Sequence, residues 1–387
     1  MTRMLFVILS MAFSTNLPSP IFPVYQTAYG LSTAMITVLF AVYAVGVLLM
    51  LLAGGALAER MGPRSIALLG VGLAGVSALV FLLARGPAAL FAGRLLSGLA
   101  VGAFMGTSNT LLLQMTTPDQ RDRILGFSAS LNLFGFGLGP ALGGVWVRFS
   151  PGNAMWAPFV VLVGVLAAAF LAVVSIRLRD EAPTSSGRVP FRLGVPSEGR
   201  ALFWGVVGPA IFAAFGFGGI AFALLPGLAR SVLGPAGRGI GGLLIFLITT
   251  AGALAQLLPK PASSQSRLAW GLGLLGVGSW FVIFGESRAI PIAVLAAAIV
   301  QGIGNGWTFQ ASLRLAGALA ARGERIRVMS TYFVCGYAGL SLPAVATGEL
   351  SRSLGVVPSM EVTGIFLSLV LLLAISLARR ASLPEAS

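Results

Sequence analysis

The chain has 387 residues, of which 57% are hydrophobic and only 9% charged, too little polar surface to coat a soluble domain of this size. Its 25 Lys and Arg against 11 Asp and Glu give a formal charge of +14, but the basic residues lie scattered near the ends of apolar runs, which argues against nucleic-acid binding. The single cysteine, Cys335, excludes an internal disulfide, and there is no histidine to serve as a metal ligand or a proton carrier.

A helix needs about 20 mostly apolar residues to cross a bilayer. The sequence offers twelve such runs: 4–27, 34–58, 65–84, 88–113, 123–147, 156–177, 201–225, 239–258, 267–285, 290–314, 327–349 and 361–378. The expected fold class is therefore all-α integral membrane. With these boundaries eighteen of the 25 basic residues fall on one side and six on the other, and Arg94 lies within a span. The positive-inside rule makes the richer side cytoplasmic and puts both termini there. The first apolar run continues to Tyr25 without a small-residue cleavage pattern, so it reads as a spanning helix instead of a signal peptide.

In chain order, the first span carries Asn16, Pro18, Pro20, Pro23 and Tyr25. Prolines interrupt the helix and free carbonyls, so this stretch is a candidate gate or cavity wall. After the second span comes Gly55-Ala-Leu-Ala-Glu-Arg-Met-Gly-Pro-Arg64, where Glu59 can approach the positive end of a helix and Arg60 and Arg64 can pair with acids or lipid phosphates. Arg94 stands about six residues into the fourth span, roughly 9 Å deep at ~1.5 Å per residue. A cation there is expensive unless it faces a cavity or a partner, although snorkelling would also relieve it. The fifth span contains Gly135-Phe-Gly-Leu-Gly-Pro-Ala-Leu-Gly-Gly144. Gly135, Gly139, Gly143 and Gly144 put bare backbone on one helix face, and Pro140 bends it.

The one long polar interruption, 178–200, divides the chain into an N-terminal bundle (1–177) and a C-terminal bundle (201–387), each of six spans. The halves repeat: the offset that carries Gly98 onto Gly302 also carries Gly102 onto Gly306, Arg121 onto Arg325, Arg123 onto Arg327 and Gly135 onto Gly339. Such a repeat implies two pseudo-symmetric bundles with a site between them. In the second half Gly252-Ala-Leu-Ala-Gln-Leu-Leu-Pro-Lys260 corresponds to the acidic loop without its acid.

These features together resemble the major facilitator superfamily, in particular its twelve-helix drug:proton antiporter branch. The 55–64 stretch resembles the family's G-x-L-A-D-R-x-G-[RK]-[RK] loop, with Glu59 for Asp and Pro63 for the first of two basic residues. Residues 135–144 match the fifth-helix G-x-x-x-G-P-x-x-G-G motif of its antiporters, and Arg94 is similar to the fourth-helix arginine of proton-coupled members. The resemblance implies a conformational latch at Gly55, Glu59, Arg60, Gly62 and Arg64. It also implies a central cavity lined by the first, fourth, seventh and tenth helices. Candidates there are Asn16, Tyr25, Met105, Asn109, Phe212, Phe215, Gln301, Asn305, Trp307 and Gln310, a lining that suits a lipophilic or amphipathic organic solute better than a sugar. The expected activity is proton-coupled efflux by alternating access.

One departure stands against this. No aspartate or glutamate lies near the middle of a span, which leaves Glu349, at the outer end of the eleventh, as the remaining acidic candidate for coupling beside Arg94. An organic-anion or metabolite carrier, with Arg94 as the counter-charge of the substrate, would need no buried acid. A polytopic membrane enzyme would want clustered acids, histidines or metal ligands, and the cluster Asp119, Arg121, Asp122, Arg123 recurs in part at Glu324 to Arg327, as a repeated structural loop would. A non-transporting scaffold would have no need of the motif set. The expected partners are a small-molecule substrate, membrane lipids and protons, with no nucleic acid, cofactor or metal, in a monomer. The arginine-heavy composition points to a GC-rich bacterial genome and so to the cytoplasmic (inner) membrane.

Overall fold

The computed structural model describes residues 1–176, 193–233, 237, 239–257, 264–288, 290–320 and 324–380. Among the described residues twelve helices are long and apolar enough to cross a membrane. They are α1 (Thr2–Tyr29), α2 (Thr33–Ala53), α3 (Met61–Leu82), α4 (Pro87–Gln114), α5 (Arg123–Phe149), α6 (Ala157–Val174), α7 (Arg200–Ala229), α8 (Ile240–Leu257), α9 (Gln265–Gly285), α10 (Ile292–Ala318), α11 (Arg327–Leu354) and α12 (Val356–Arg380). No strand occurs among the described residues.

Local sequence explains the interruptions. Pro18 and Pro20 have no N–H to donate, so α1 changes to a 3-10 turn at Ser19–Ile21 before it resumes. It ends at Gly30, whose φ of 64° suits a residue without a Cβ and whose N–H donates to the Gln26 carbonyl. Between α2 and α3 the expected loop shrinks to a kink. The chain stays helical from Thr33 to Leu82 except at Gly62, with φ 76° and ψ 158°. Ala, Leu, Glu and Arg are good helix formers, and a glycine in the left-handed region is enough to reverse direction before Pro63.

The chain divides into two compact units, Met1–Leu31 with Val42–Phe191, and Ser32–Ala41 with Arg192–Ser387. Each is held by helices that meet backbone to backbone. In the first unit a Cβ on Gly98 of α4 would collide with the Tyr43 carbonyl of α2, and one on Gly102 would lie 2.7 Å from the Val47 carbonyl. In the second unit Gly302 and Gly306 of α10 meet the Ile248 and Gly252 carbonyls of α8 in the same way. The repeat legible in the sequence is thus one helix crossing built twice.

The glycines of α5 serve α1. Gly139 abuts the Phe13 carbonyl, and a Cβ on Gly143 would lie 2.7 Å from the Leu17 carbonyl, just at the break in α1. In the second unit Gly339 of α11 meets the Phe212 carbonyl of α7. Residues 32–41 also belong to this unit. There Thr37 occupies the notch left by Gly348, and Phe40 stacks on Phe222 at 6.4 Å. Of the polar stretch expected at 178–200, residues 178–192 lie outside the described residues. Leu193 and Gly194 are tied to α11: the Gly194 N–H donates to Thr331 Oγ1 at 2.8 Å, and Arg327 Nε donates to the Leu193 carbonyl at 3.4 Å.

Candidate functional site

Arg94 is the largest fully buried side chain among the described residues, with 0% of its surface exposed. One of its partners lies beside the break in α1. Pro18 and Pro20 leave the carbonyls four residues before them, Ser14 and Asn16, without a helical donor. Between these, the Thr15 carbonyl accepts Arg94 Nη1 at 3.0 Å. The guanidinium also lies over two rings, Phe22 at 5.4 Å and Tyr43 at 5.1 Å to their centroids. A cation held by a carbonyl and by π faces retains part of the stabilisation that water would give. It does not snorkel to an interface.

Serines surround the same turn of α4. Ser97 Oγ donates to the Arg94 carbonyl and Ser77 Oγ to the Gly93 carbonyl, both at 2.8 Å. Ser14, Ser77 and Ser97 line a cavity of about 10 Å³ with Pro18, Phe81 and Phe159, about the room one water molecule needs.

The other first-unit candidates separate. Asn16 is buried at 8% exposure, Met105 is half-buried and Asn109 is exposed. Tyr25 is wholly buried, stacks on Tyr29 at 6.1 Å and donates its hydroxyl to the Met155 carbonyl at 3.3 Å. It therefore ties α1 to the segment before α6.

For the latch, the side chains of Gly55, Glu59 and Arg60 lie outside the described residues. Gly62 makes the kink, and the Arg64 guanidinium donates to the Val174 carbonyl at the end of α6. Arg3 joins it, donating to the Ser175 carbonyl at 3.2 Å and to Ser175 Oγ at 3.0 Å. The last carbonyls of a helix carry the negative end of its dipole, so two cations there are a physical substitute for an acid. Glu349, the acidic candidate for coupling, lies near the end of α11. It is half exposed and pairs with Arg352 one turn along α11 at 3.2 Å.

In the second unit Phe215 is stacked on Phe309 (6.1 Å, 19°) and meets Tyr337 edge-on (5.8 Å), while Phe212 meets Phe366 edge-on at 6.3 Å. Trp307 Nε1 donates to the Ala255 carbonyl of α8 at 3.0 Å, which makes it a helix tie. The carbonyl oxygens of Gln301, Asn305 and Gln310 are buried and have no hydrogen-bond partner among the described residues. Sequence reasoning missed Thr15, Phe22, Tyr43, Phe309 and Tyr337, because a backbone acceptor and apolar rings leave no pattern. It also missed the buried pair Ser312 and Tyr332, 2.9 Å apart. Among the described residues no three His, Cys, Asp or Glu side chains come together as metal ligands would.

The family model of the Major Facilitator Superfamily matches residues 4–284, from α1 through α9. The chain belongs to that superfamily. Its described residues form twelve candidate membrane-spanning helices, as a multi-pass membrane protein would. Among relatives of this superfamily member, the methylenomycin A resistance protein of Bacillus subtilis is 29% identical over 258 residues, 60% of this chain and 54% of that protein. The quinolone resistance protein NorA of one Staphylococcus aureus strain is 28% identical over 214 residues, 55% of this chain and 53% of that protein. The chain spans about half the length of these curated relatives. A crystal structure of a mutant nucleoside transporter, NupG, superposes with a TM-score of 0.74 and covers 98% of each chain at 10% identity, which shows a shared fold alone.

Proposed function

We propose that this transporter exports a small lipophilic or amphipathic organic solute by alternating access, driven by protons entering in exchange. The burial of Arg94 carries the reading. A membrane-embedded cation, placed where α1 is broken and bonded to the Thr15 carbonyl, is costly to keep and is a functional site by default. The resistance proteins among the relatives, both named for organic antibiotics, support an exporter of such compounds. The aromatic group at Phe215, Phe309 and Tyr337 supports a lipophilic solute. In this reading the protein sits in the inner membrane with both termini cytoplasmic, as the distribution of arginines favours. It works as a monomer, and Gly55, Glu59, Arg60, Gly62 and Arg64 form the latch that changes partners between states.

The test is accumulation of a fluorescent lipophilic cation by cells making the wild type or Arg94→Ala, with and without an uncoupler. Exclusion by the wild type, lost with the uncoupler or with the substitution, is the expected result. Equal accumulation in every case overturns export of lipophilic cations and favours an organic-anion or metabolite carrier.

A further inference from the structure

Three serine side chains meet beside the break in α1: Ser14 of α1, Ser77 of α3 and Ser97 of α4. They line a cavity of about 10 Å³ within the first unit, which Phe81 of α3 and Phe159 and Leu162 of α6 close with apolar walls. Each hydroxyl has one proton, and each gives it to the main chain. Ser14 donates to the Met11 carbonyl at 2.7 Å, and Ser77 and Ser97 donate to the Gly93 and Arg94 carbonyls, both at 2.8 Å. The three oxygens can therefore offer only lone pairs to the cavity. Pro18, which also lines it, adds a further acceptor, because it has no N–H for the Ser14 carbonyl one turn before it. Cavities that stay dry are apolar, whereas this one is rich in acceptors and has about the volume that one water needs.

From this arrangement we infer that the cavity is a binding site for a single water molecule, which acts as the missing hydrogen-bond donor at the break in α1. The water gives its two protons to the Ser14 carbonyl and to a hydroxyl across the cavity, Ser77 or Ser97. It thereby links the broken turn of α1 to the turn of α4 that carries Arg94. In a membrane, ordered water of this kind stands in for the donor that a proline removes. A small cation would also suit a group of oxygens, but Arg94 decides against it. Its guanidinium is bonded to Thr15, the residue after Ser14, and a second positive charge so close in a medium of low dielectric would be repelled. Water is neutral and brings the protons that the site lacks. The inference goes beyond the export reading and does not depend on which solute the protein carries.

The test is X-ray hydroxyl-radical labelling of the purified full chain in detergent, read by mass spectrometry. Radiolysis of a bound water makes the radical in place, so it oxidises side chains that bulk solvent does not reach. Phe81 and Phe159 line the cavity and are 2% and 0% exposed, while Phe203, also 0% exposed, belongs to the second unit. Phe81 and Phe159 should be labelled well above Phe203. Labelling of both at the Phe203 level would overturn the inference. Ser77→Ala and Ser97→Ala enlarge the cavity but remove an acceptor, and at least one of them should lower the labelling about two- to tenfold, the range of one neutral hydrogen bond. Leu162→Val enlarges it at the apolar wall and keeps every acceptor, so labelling should stay within about twofold of wild type. Unchanged labelling in both serine variants, or an equal loss in Leu162→Val, would mean that room and not hydrogen bonding governs the site, and would overturn the donor role. The wild-type comparison needs no substitution and decides occupancy even where a variant fails to fold. Export is judged apart, by dye accumulation in cells, and its failure there leaves the water site standing.

Discussion

Arg94 of α4 donates to the Thr15 carbonyl of α1 at 3.0 Å, a bond that joins the break in the first helix to a buried cation lying over the rings of Phe22 and Tyr43. Lysine has neither the flat guanidinium that lies over two rings nor its directed N–H groups. Arg94→Lys should therefore recover little of the exclusion that Arg94→Ala loses. Arg94→Ala should also lower thermal stability, since the Thr15 carbonyl is left with one bond fewer at a cost of about 1–3 kcal/mol. Recovery by lysine of more than half the wild-type exclusion would reduce the site to a point charge.

The paired crossings at Gly98 and Gly302 should fail alike. Alanine at either drives a Cβ into a backbone carbonyl that cannot move independently of its helix, and overpacking of this kind costs about 1–3 kcal/mol. Gly164→Ala, with nothing within 4 Å of the added atom, should be close to neutral. Unfolding midpoints in detergent compare the three.

At the cytoplasmic end expected for α6, Arg64→Ala and Arg3→Ala each remove a cation from the helix C-terminus. Each should destabilise by about 0.3–1 kcal/mol, less at high salt, as a dipole contact requires. Arg64→Lys should restore part of this, since a point charge still faces the dipole. A loss independent of salt would point instead to packing of the arginine stem.

Glu349 offers the opposite expectation. Its pair with Arg352 is on the surface, and such pairs are worth little. Glu349→Gln should leave uncoupler-sensitive exclusion within about twofold of wild type. Abolished exclusion would return Glu349 to the coupling role that the sequence suggested.

The twelve helices were legible because each apolar run is long enough to cross a bilayer and is bounded by polar or proline-containing residues. The glycine strip of α5 and the repeated glycines of α4 and α10 were legible as close approaches, though the sequence did not say which carbonyls they approach. Residues 55–64 read as a loop because they end the second apolar run and resemble the family's loop motif, yet only Gly62 leaves the helix. Tyr25 and Trp307 read as cavity lining, and each instead spends its polar atom on a distant backbone carbonyl. The partners of Arg94 were invisible for the same reason: Thr15 contributes its main chain, which no side-chain pattern reports.

Proton-driven exchange is tested most directly in liposomes containing the purified protein, with an acid interior and the membrane potential clamped by valinomycin and equal potassium. Protons leaving should carry tetraphenylphosphonium inward, above the level of protein-free liposomes, with the gain abolished by nigericin and by Arg94→Ala. Uptake equal to that of protein-free liposomes, or unchanged when the pH gradient is collapsed, would contradict the account.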